Sequence, residues 1–265
     1  MRTIKCRSVL TKSNLPEVDY CINPYVGCLH GCAYCYARFM KRFTGHVEDE
    51  WGRFLDIKEN AALLLQRELK RKKIDGTVLL GSVTDAYQPA EKKYRITRAC
   101  LEVLAEYDVP ISILTKSSLV TRDIDLLSKF SNSEVGLTVE FSEDRFSSAF
   151  DPSASLISER IKTLDRLREH GICTYVFVGP IMPGLTDIEK IIRLIAGKVD
   201  FLMAESLNTR CGNKEAILTV IGRHFPDLLE MYRGGFSNDY WRTIKQEVET
   251  LCASHKIPPK GFYDH

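Results

Sequence analysis

The sequence has no long apolar run. No stretch of its 265 residues approaches the roughly 20 apolar residues that a membrane-spanning helix requires. Residues 1–12 also lack the apolar core of a secretory signal peptide. Neither a membrane protein nor a secreted protein is therefore expected, and the sequence predicts a cytoplasmic location.

The sequence also has no excess of charge of one sign and no low-complexity segment. Its 37 basic and 35 acidic residues leave a net charge of +2, so composition does not indicate a polyanionic partner. One basic run, residues 67–73, is interpreted as the solvated end of a helix, where positive charge complements the helix dipole. Because 44% of the residues are hydrophobic, the chain can bury a substantial core, and its length fits one large domain.

The paired cysteines of a disulfide-stapled secreted domain are missing as well. The chain has nine cysteines, an odd number, and no export signal accompanies them, so they are expected to be reduced thiols. Cys100 and Cys173 fall within helix and strand patterns and are interpreted as core residues. Several of the remaining thiols are expected to bind a metal.

Three clustered cysteines are the most informative feature of the chain. Cys28, Cys32 and Cys35 have the spacing Cys-x3-Cys-x2-Cys, and no fourth cysteine follows closely. A structural zinc site and an electron-transfer iron–sulfur cluster each require four ligands, so three thiolates suggest a cluster with one iron open to another molecule. The alternatives are a zinc site completed by Cys21 or a distant histidine, or three buried structural thiols. His30, between two of the cysteines, is interpreted as loop structure.

Short apolar runs alternate with amphipathic segments along the chain. Most of the runs are β-branched without strict alternation, which is typical of parallel strands covered on both faces. Strands are predicted at residues 20–26, 77–82, 110–115, 134–141, 172–178 and 199–204. Helices are predicted at residues 59–70, 96–107, 123–130, 158–170, 186–195, 213–223 and 237–255, with a capping box at Thr186 and Glu189. Six strand–helix units favour a parallel sheet, which is either doubly wound or an incomplete barrel.

Polar or glycine-rich residues follow every predicted strand. In parallel α/β folds the loops at the carboxyl ends of the strands converge on one mouth, where ligands bind. The cysteines follow the first strand, and the segments after the other five are residues 81–89, 115–118, 138–140, 179–184 and 205–208. The sequence therefore predicts one ligand-filled mouth that the cysteines share with these segments.

The cysteine motif resembles that of the radical S-adenosylmethionine (radical SAM) superfamily. Strings around it further resemble the spore photoproduct lyase-like, or DNA repair photolyase-like, branch of that superfamily; they cover residues 23–28, 35–38, 84–91, 115–123 and 180–184. The similarity extends over approximately residues 13–210. It implies an α/β fold, a six-unit (β/α) partial TIM barrel over residues 20–225. Residues 1–19 would be an N-terminal extension and residues 226–265 a C-terminal helical extension.

The resemblance also implies two cofactors and their contacts. The three cysteines would bind a [4Fe–4S] cluster whose open iron is chelated by S-adenosylmethionine (SAM). Tyr34 would lie against the adenine, Gly81 and Ser82 would contact the methionine amino group, and Lys116 would contact its carboxylate. The other predicted contacts are Asp85 in the amino-group network or as a turn cap, Thr138 and Glu140 at the ribose, Gly179 and Pro180 at the adenine wall, and Glu205 and Asn208 at the cofactor or the substrate.

On this resemblance the chain is expected to be a radical SAM enzyme. The reduced cluster would cleave SAM to methionine and a 5′-deoxyadenosyl radical, which would abstract hydrogen from an unidentified substrate, a nucleic-acid lesion being one candidate. A one-electron reductant such as flavodoxin or ferredoxin is the expected partner. The alternative from another class is a non-catalytic structural or redox metal-binding protein that uses the same cysteines.

One departure from the branch pattern concerns the hydrogen-atom donor. Spore photoproduct lyases use a cysteine soon after the cluster motif, whereas no cysteine lies between Cys35 and Cys100 here, and the aligned position falls near Ser82. Because a serine O–H bond is too strong to donate hydrogen comparably, true lyase activity is not expected unless Cys211 replaces that donor. Tyr36 is either a second candidate for hydrogen transfer or a packing residue.

Overall fold

A computed structural model describes the whole chain, residues 1–265. The strands are β1 (Arg2–Ile4), β2 (Leu10–Lys12), β3 (Tyr20–Ile22), β4 (Tyr25–Val26), β5 (Asp56–Lys58), β6 (Val78–Leu80), β7 (Ile111–Thr115), β8 (Ser133–Thr138), β9 (Cys173–Val178), β10 (Phe201–Glu205) and β11 (Pro259–Tyr263). The helices are α1 (Lys41–Thr44), α2 (Ala61–Arg71), α3 (Glu91–Tyr94), α4 (Ile96–Glu106), α5 (Ile124–Leu127), α6 (Asp144–Phe150), α7 (Ile157–Glu169), α8 (Ile188–Ile195), α9 (Lys214–His224), α10 (Leu229–Gly234) and α11 (Asn238–Ser254). Short 3₁₀ segments span Tyr36–Met40, Ser118–Asp123 and Pro226–Leu228.

The order of the strands distinguishes the two architectures that periodicity leaves open. The main sheet has the order β11-β10-β9-β8-β7-β6-β3-β2. Neighbours from β3 to β11 are all parallel, and β2 alone pairs antiparallel, with β3. A doubly wound sheet reverses its order at a switch point, whereas these strands follow one another in chain order and end in two edge strands. This is the order of an incomplete barrel, and the predicted fold class is confirmed.

Amphipathic helices cover the sheet. The clearest case is α8, where Ile188, Ile191, Ile192 and Ile195 are all buried at helical spacing. These faces and the strands share one continuous core, and two small satellite groups of buried side chains lie beside the cysteine loop. None of the helices combines the length and the apolarity that crossing a bilayer would require.

The first predicted strand, residues 20–26, is in fact two strands in different sheets. β3 joins the main sheet, and β4 pairs antiparallel with β5 in a small sheet of order β1-β5-β4. Pro24 lies between them and has no N–H to donate to a ladder. Asn23 beside it accepts a hydrogen bond from Val83 N at 3.0 Å. The break turns the chain out of the main sheet just before the cysteine loop.

Two helix predictions differ from the structure at their ends. The capping box was placed one residue too early: α8 begins after Asp187, whose side chain accepts a hydrogen bond from Lys190 N at 2.9 Å. Thr186 Oγ1 instead donates to Glu140 O at 2.8 Å, which links this loop to the end of β8. In the predicted helix over residues 123–130 only α5 is α-helical, because the 3₁₀ segment extends to Asp123 and the chain turns directly after Leu127.

The terminal extensions contribute strands that the sequence pattern does not predict. β11 adds to β10 in parallel as the outer edge of the main sheet, although the extension over residues 226–265 was expected to be helical. Its sequence carries Pro259 and Gly261 and no apolar alternation, so only pairing with β10 makes it a strand. In the extension over residues 1–19, β1 pairs with β5 and β2 with β3.

A glycine at the centre of the sheet gives a test of the packing. A Cβ atom added at Gly136 in β8 would overlap the ring of Tyr175 in β9, which stacks on Phe201. Gly136→Ala is expected to lower the free energy of unfolding by about 1–3 kcal/mol through overpacking. Gly234→Ala, where no atom lies within 4 Å of an added Cβ, should change it by less than about 0.5 kcal/mol. Urea unfolding of both variants measures the difference, and equal effects would contradict this packing.

Candidate active site

The cysteine loop follows β4 and is built from two tight turns. Gly31 N donates to Cys28 O, and Cys35 N donates to Cys32 O. Gly31 has a φ of +67°, a conformation that glycine adopts without steric cost. Cys28 and Cys32 are buried, and Cys35 is half-buried. The spacing of the motif is therefore the spacing of two consecutive turns that present three thiols within one short loop.

The loop rests on the segment that follows α6. Ala33 N donates to Phe150 O at 2.8 Å, and His30 Nδ1 lies 3.0 Å from Ser153 O. The ring of His30 is 2% exposed. His30 thus serves as loop structure, and these two contacts fix the loop against the body of the sheet.

The three cysteines line an open cavity at the carboxyl ends of the parallel strands. The cavity is open on one side, and its empty space, which includes solvent at the mouth, is about 840 Å³. The predicted site residues that line it are Cys28, Cys32, Cys35, Tyr34, Tyr36, Gly81, Ser82, Asp85, Lys116, Thr138, Gly179 and Glu205, together with His30, Pro180 and Asn208. Glu140 and Cys211 do not line it. The structure therefore brings the cysteine loop together with the loops that follow β6 to β10.

The environment of the cysteines favours neutral thiols unless a cation compensates them. Burial raises the pKa of Cys28 and of Cys32 above the usual thiol value, and it raises the pKa of Cys35 to about 11. The thiolate is the form that binds metal. No three His, Cys, Asp or Glu side chains of the chain are grouped so that they could hold a single metal ion.

Known proteins share the sequence pattern of this chain. The family model described as "Radical SAM superfamily" matches residues 22–195. The chain belongs to the radical SAM superfamily. An uncharacterized protein of Methanocaldococcus jannaschii is 38% identical over 262 residues, which are 99% of this chain and 96% of the relative. A radical SAM Nα-GlyT isomerase of Pseudomonas phage M6 is 27% identical over 169 residues, 63% of this chain and 34% of the phage protein.

Two solved structures share the fold. Spore photoproduct lyase complexed with dinucleoside spore photoproduct superposes with a TM-score of 0.70 at 14% identity, over 99% of this chain and 82% of the lyase. Streptococcus suis SuiB bound to its precursor peptide SuiA gives a TM-score of 0.61 at 13% identity, over 92% of this chain and 48% of SuiB. The predicted superfamily and the predicted likeness to spore photoproduct lyase are confirmed at the level of the fold.

In the radical SAM cavity, Asp85 joins three loops. Its carboxylate accepts hydrogen bonds from Thr115 Oγ1 at 2.7 Å, Lys116 N at 2.9 Å and Tyr87 N at 2.7 Å. His30 Nε2 lies 3.2 Å away but is not aligned for a hydrogen bond. Burial alone would raise the pKa of Asp85, yet His30 and these donors lower it to about 2. Because both carboxylate oxygens are engaged within the protein, the geometry favours the structural alternative for Asp85.

Lys116 presents a held ammonium group to the cavity. Its Nζ lies 5.2 Å from the centroid of the Tyr34 ring and 3.7 Å from Glu140 Oε1. The Tyr34 hydroxyl donates to the same carboxylate. The Lys116 side chain is 14% exposed, so it is not a freely solvated lysine. Tyr34 and Glu140 orient a positive charge toward the space in which a carboxylate ligand was predicted.

Beneath Lys116 lies a buried cluster of charges centred on Arg160. The Arg160 side chain is 0% exposed; it donates to Glu140 Oε2 at 2.9 Å, to Asp151 Oδ2 at 2.5 Å and to Thr138 O at 3.0 Å. Burial opposes ionisation of Glu140, but Lys116 and Arg160 lower its pKa, whereas burial and then the charge of Glu140 raise the pKa of Asp151. Glu140 is thus the anion that positions Lys116 and Tyr34, and it lies behind the residues that line the cavity. Its predicted contact with the ribose stays a prediction.

Gly81 and Ser82 shape the edge of the cavity after β6. Gly81 has a φ of +91°, and a Cβ there would lie 2.7 Å from Thr84 O, so only glycine fits. Ser82 Oγ accepts a hydrogen bond from Asn23 Nδ2 at 3.1 Å. The Tyr36 hydroxyl donates to Ser82 O. The Tyr36 ring thereby bridges the cysteine loop and the β6 loop, and its predicted part in hydrogen transfer stays a prediction.

The opposite edge is formed by the loop after β10. Glu205 Oε1 lies 2.7 Å from His265 Nε2, beside β11, and this pairing raises the pKa of His265. Asn213 Nδ2 donates to Asn208 O and to Tyr34 O, both at 2.8 Å. The loop is therefore tied directly to the cysteine loop.

Cys211 lies in that loop outside the cavity. It is half-buried, and burial raises the pKa of its thiol, with a smaller contribution from Glu205. It is close enough to Cys35 to contribute to the raised pKa of that thiol. The role of Cys211 as a hydrogen-atom donor stays a prediction.

Several cavity residues are not named individually in the sequence-based prediction. Val83, Thr84 and Thr115 belong to segments that are predicted to line the mouth, whereas Ala37, Trp51, Leu114 and Phe177 lie outside those segments. Thr84 and Thr115 stood within strings that carry the family resemblance and could have been found there. Trp51 lies in an irregular turn between α1 and β5, and nothing in its local sequence indicates a site.

Other residues of those strings are structural. Arg122 Nη2 lies 2.7 Å from Glu91 Oε1 and 2.6 Å from Asp123 Oδ2, and Arg98 Nη1 lies 2.8 Å from Asp123 Oδ1. The Tyr25 hydroxyl also donates to Glu91. None of these five residues lines the cavity. Four residues of the family-resembling strings, Tyr25, Glu91, Arg122 and Asp123, thus belong to an internal network outside the cavity.

The residues of the cavity fit the two cofactors that the superfamily implies. Three thiols occupy one end of the cavity, the buried Trp51 Nε1 beside them has no partner, and the Lys116 ammonium faces the same space. Gly81 keeps the β6 loop free of a side chain. Soft thiolates suit an iron–sulfur cluster, and an ammonium suits the carboxylate of an amino-acid cofactor.

Removal of Arg160 tests the buried cluster. Arg160→Met leaves Asp151 buried without its ion-pair partner and leaves Glu140 with Lys116 alone, so the free energy of unfolding is expected to fall by roughly 3–5 kcal/mol. Arg168→Met on the same helix breaks only the exposed pair with Asp200 and should cost less than about 1 kcal/mol. Denaturant unfolding of the two variants makes the comparison. Similar decreases in the free energy of unfolding of the two variants would show that the Arg160 cluster stabilises the protein no more than a surface ion pair does.

Acid titration tests Asp85. Its pKa is lowered from 3.8 to about 2 in the folded protein, so its ionisation stabilises the fold above about pH 4, and this contribution disappears as pH falls toward 2. Wild type should therefore lose roughly 2 kcal/mol more stability over this window than Asp85→Asn, which has no carboxylate to protonate. Urea unfolding at several pH values measures this. Parallel curves for the two proteins would contradict the lowered pKa.

Proposed function

We propose that the protein is a radical SAM enzyme in which Cys28, Cys32 and Cys35 hold a [4Fe–4S] cluster. The observation that carries the proposal is the shared cavity: the three thiols and the polar strand ends that bind cofactor in such enzymes line one space. When bound, the reduced cluster and SAM together supply a 5′-deoxyadenosyl radical that abstracts hydrogen from a substrate. The chain's own residues bind, orient and shield these groups.

Lys116 is the proposed partner of the SAM carboxylate. Its ammonium is already oriented by Glu140 and by the face of Tyr34, so little side-chain freedom is lost on binding. Gly81 lets the methionine end approach the backbone after β6. Leu114, Phe177 and the indole of Trp51 supply apolar surface that limits water around the cofactors.

A nucleic-acid substrate is the candidate that the neighbours support, since spore photoproduct lyase has been solved with a dinucleoside photoproduct. SuiB, with a precursor peptide, has the same fold, so the fold alone does not select the substrate class. By resemblance to the lyase pattern, the position of the donor cysteine falls near Ser82, and Cys211 does not line the cavity. We therefore propose hydrogen abstraction without the lyase's own quenching step. A flavodoxin- or ferredoxin-like donor in the reducing cytoplasm is the proposed electron source.

Reductive cleavage of SAM tests the proposal. The protein is purified anaerobically, reconstituted with iron and sulfide, reduced, and assayed for 5′-deoxyadenosine. Cys32→Ala should abolish the product, because it removes one cluster ligand. Cys173→Ala, at the amino end of β9 and outside the cavity, is the matched control and should retain it.

Two results would contradict the proposal. One is tight binding of zinc with no 5′-deoxyadenosine, which would favour the non-catalytic metal-binding alternative. The other is 5′-deoxyadenosine formation that survives in Cys32→Ala at the wild-type rate.

A further inference from the structure

The indole N–H of Trp51 is a buried donor without an acceptor. Trp51 is 6% exposed, and its Nε1 is among the six buried side-chain nitrogen and oxygen atoms of the chain that have no hydrogen-bond partner. Among these six, only Trp51 and His30 line the cavity, and His30 has Asp85 within 3.2 Å. Leaving a buried donor unpaired costs roughly 1–3 kcal/mol, so such an atom beside a ligand site points to an acceptor on the ligand.

Aromatic packing holds this indole against the cysteine loop. Trp51 belongs to one buried group with Cys28, Ala37 and Phe54. The rings of Trp51 and Phe54 meet edge to face, with centroids 5.8 Å apart. Phe54 in turn lies so close to the backbone of Gly27 that a Cβ there would be 2.7 Å from its ring. Because Gly27 precedes Cys28, the indole and the first cluster cysteine are fixed relative to each other.

We propose that the Trp51 N–H donates a hydrogen bond to the Cys28 thiolate once this residue binds the cluster. This inference rests on the proposed function, since it requires the cluster. Indole nitrogen is a donor only, so Trp51 is neither a ligand nor a base. Hydrogen bonds to cluster sulfurs are among the factors that set the reduction potential. A donor stabilises the more negative reduced state, so Trp51 makes the cluster easier to reduce.

The reduction potential of the reconstituted protein is the direct test. Trp51→Phe keeps an aromatic ring and removes the N–H, and the midpoint potential, followed by EPR during redox titration, should become more negative. The expected change is three- to tenfold in the reduction equilibrium, where tenfold is about 59 mV for a one-electron couple. Trp241→Phe, in the buried face of α11 and outside the cavity, is the matched control and should match wild type.

A second measurement does not depend on the Trp51→Phe variant assembling its cluster. The chain has two tryptophans, so Trp51 is the sole indole in Trp241→Phe. Its N–H hydrogen-bonding band in ultraviolet resonance Raman spectra should shift when the cluster is assembled, before SAM is added. An unshifted band, or one that shifts only with SAM, overturns the proposal, as does an unchanged midpoint potential in Trp51→Phe.

These outcomes are separate from failure of the proposed function. If the wild-type protein assembles a cluster and forms 5′-deoxyadenosine while the band and the potential do not respond, the inference about Trp51 alone is wrong. If the wild-type protein takes up no cluster, the proposed function fails and the inference fails with it.

Discussion

The buried guanidinium of Arg160 is the interaction on which the site depends. It joins the end of β8, through Thr138 O and Glu140, to Asp151 after α6. Removing these charges from water is costly, and their mutual pairing offsets that cost in part, although Asp151 Oδ1 has no hydrogen-bond partner. The pairing therefore holds the segment after α6 in one position. That segment provides the carbonyl groups of Phe150 and Ser153 on which the cysteine loop rests.

The same charges organise the cofactor end of the cavity. Glu140 remains ionised because Arg160 and Lys116 both face it, and its negative charge in turn orients Lys116 over Tyr34. A functional cation at the surface of the cavity is thus supported by a structural ion pair beneath it. The carboxylate that holds Lys116 in position, that of Glu140, does not line the cavity. The ammonium group of Lys116 is therefore held in place without pairing to a carboxylate inside the cavity.

The strands of the main sheet lie side by side in the order in which they occur in the chain. This order explains why residues far apart in the sequence meet at one cavity. In the main sheet, the strands β3 and β6 to β10 all run in the same direction, each beside the one before it, so their carboxyl ends open on the same side. The residues of the family-specific strings fall into two groups, those that line the cavity and those that do not. Thr84, Asp85, Thr115 and Lys116 line the cavity, whereas Glu91, Arg122 and Asp123 form the ion network behind it. The sequence resemblance to the branch therefore rests on structural residues as well as on residues of the cavity.

The sequence by itself determined the features that depend on local order: three thiols at turn spacing, six apolar strands, and polar residues where each strand ends. Only the tertiary structure decided the features that depend on residues far apart in the chain. Pairing with β10 makes a strand of residues 259–263, and the small sheet draws β4 away from β3. The ion pair with Arg160 holds Glu140 outside the cavity, and packing against Phe54 places Trp51 beside Cys28. Burial and partnership are properties of the assembled fold, and no local pattern encodes them.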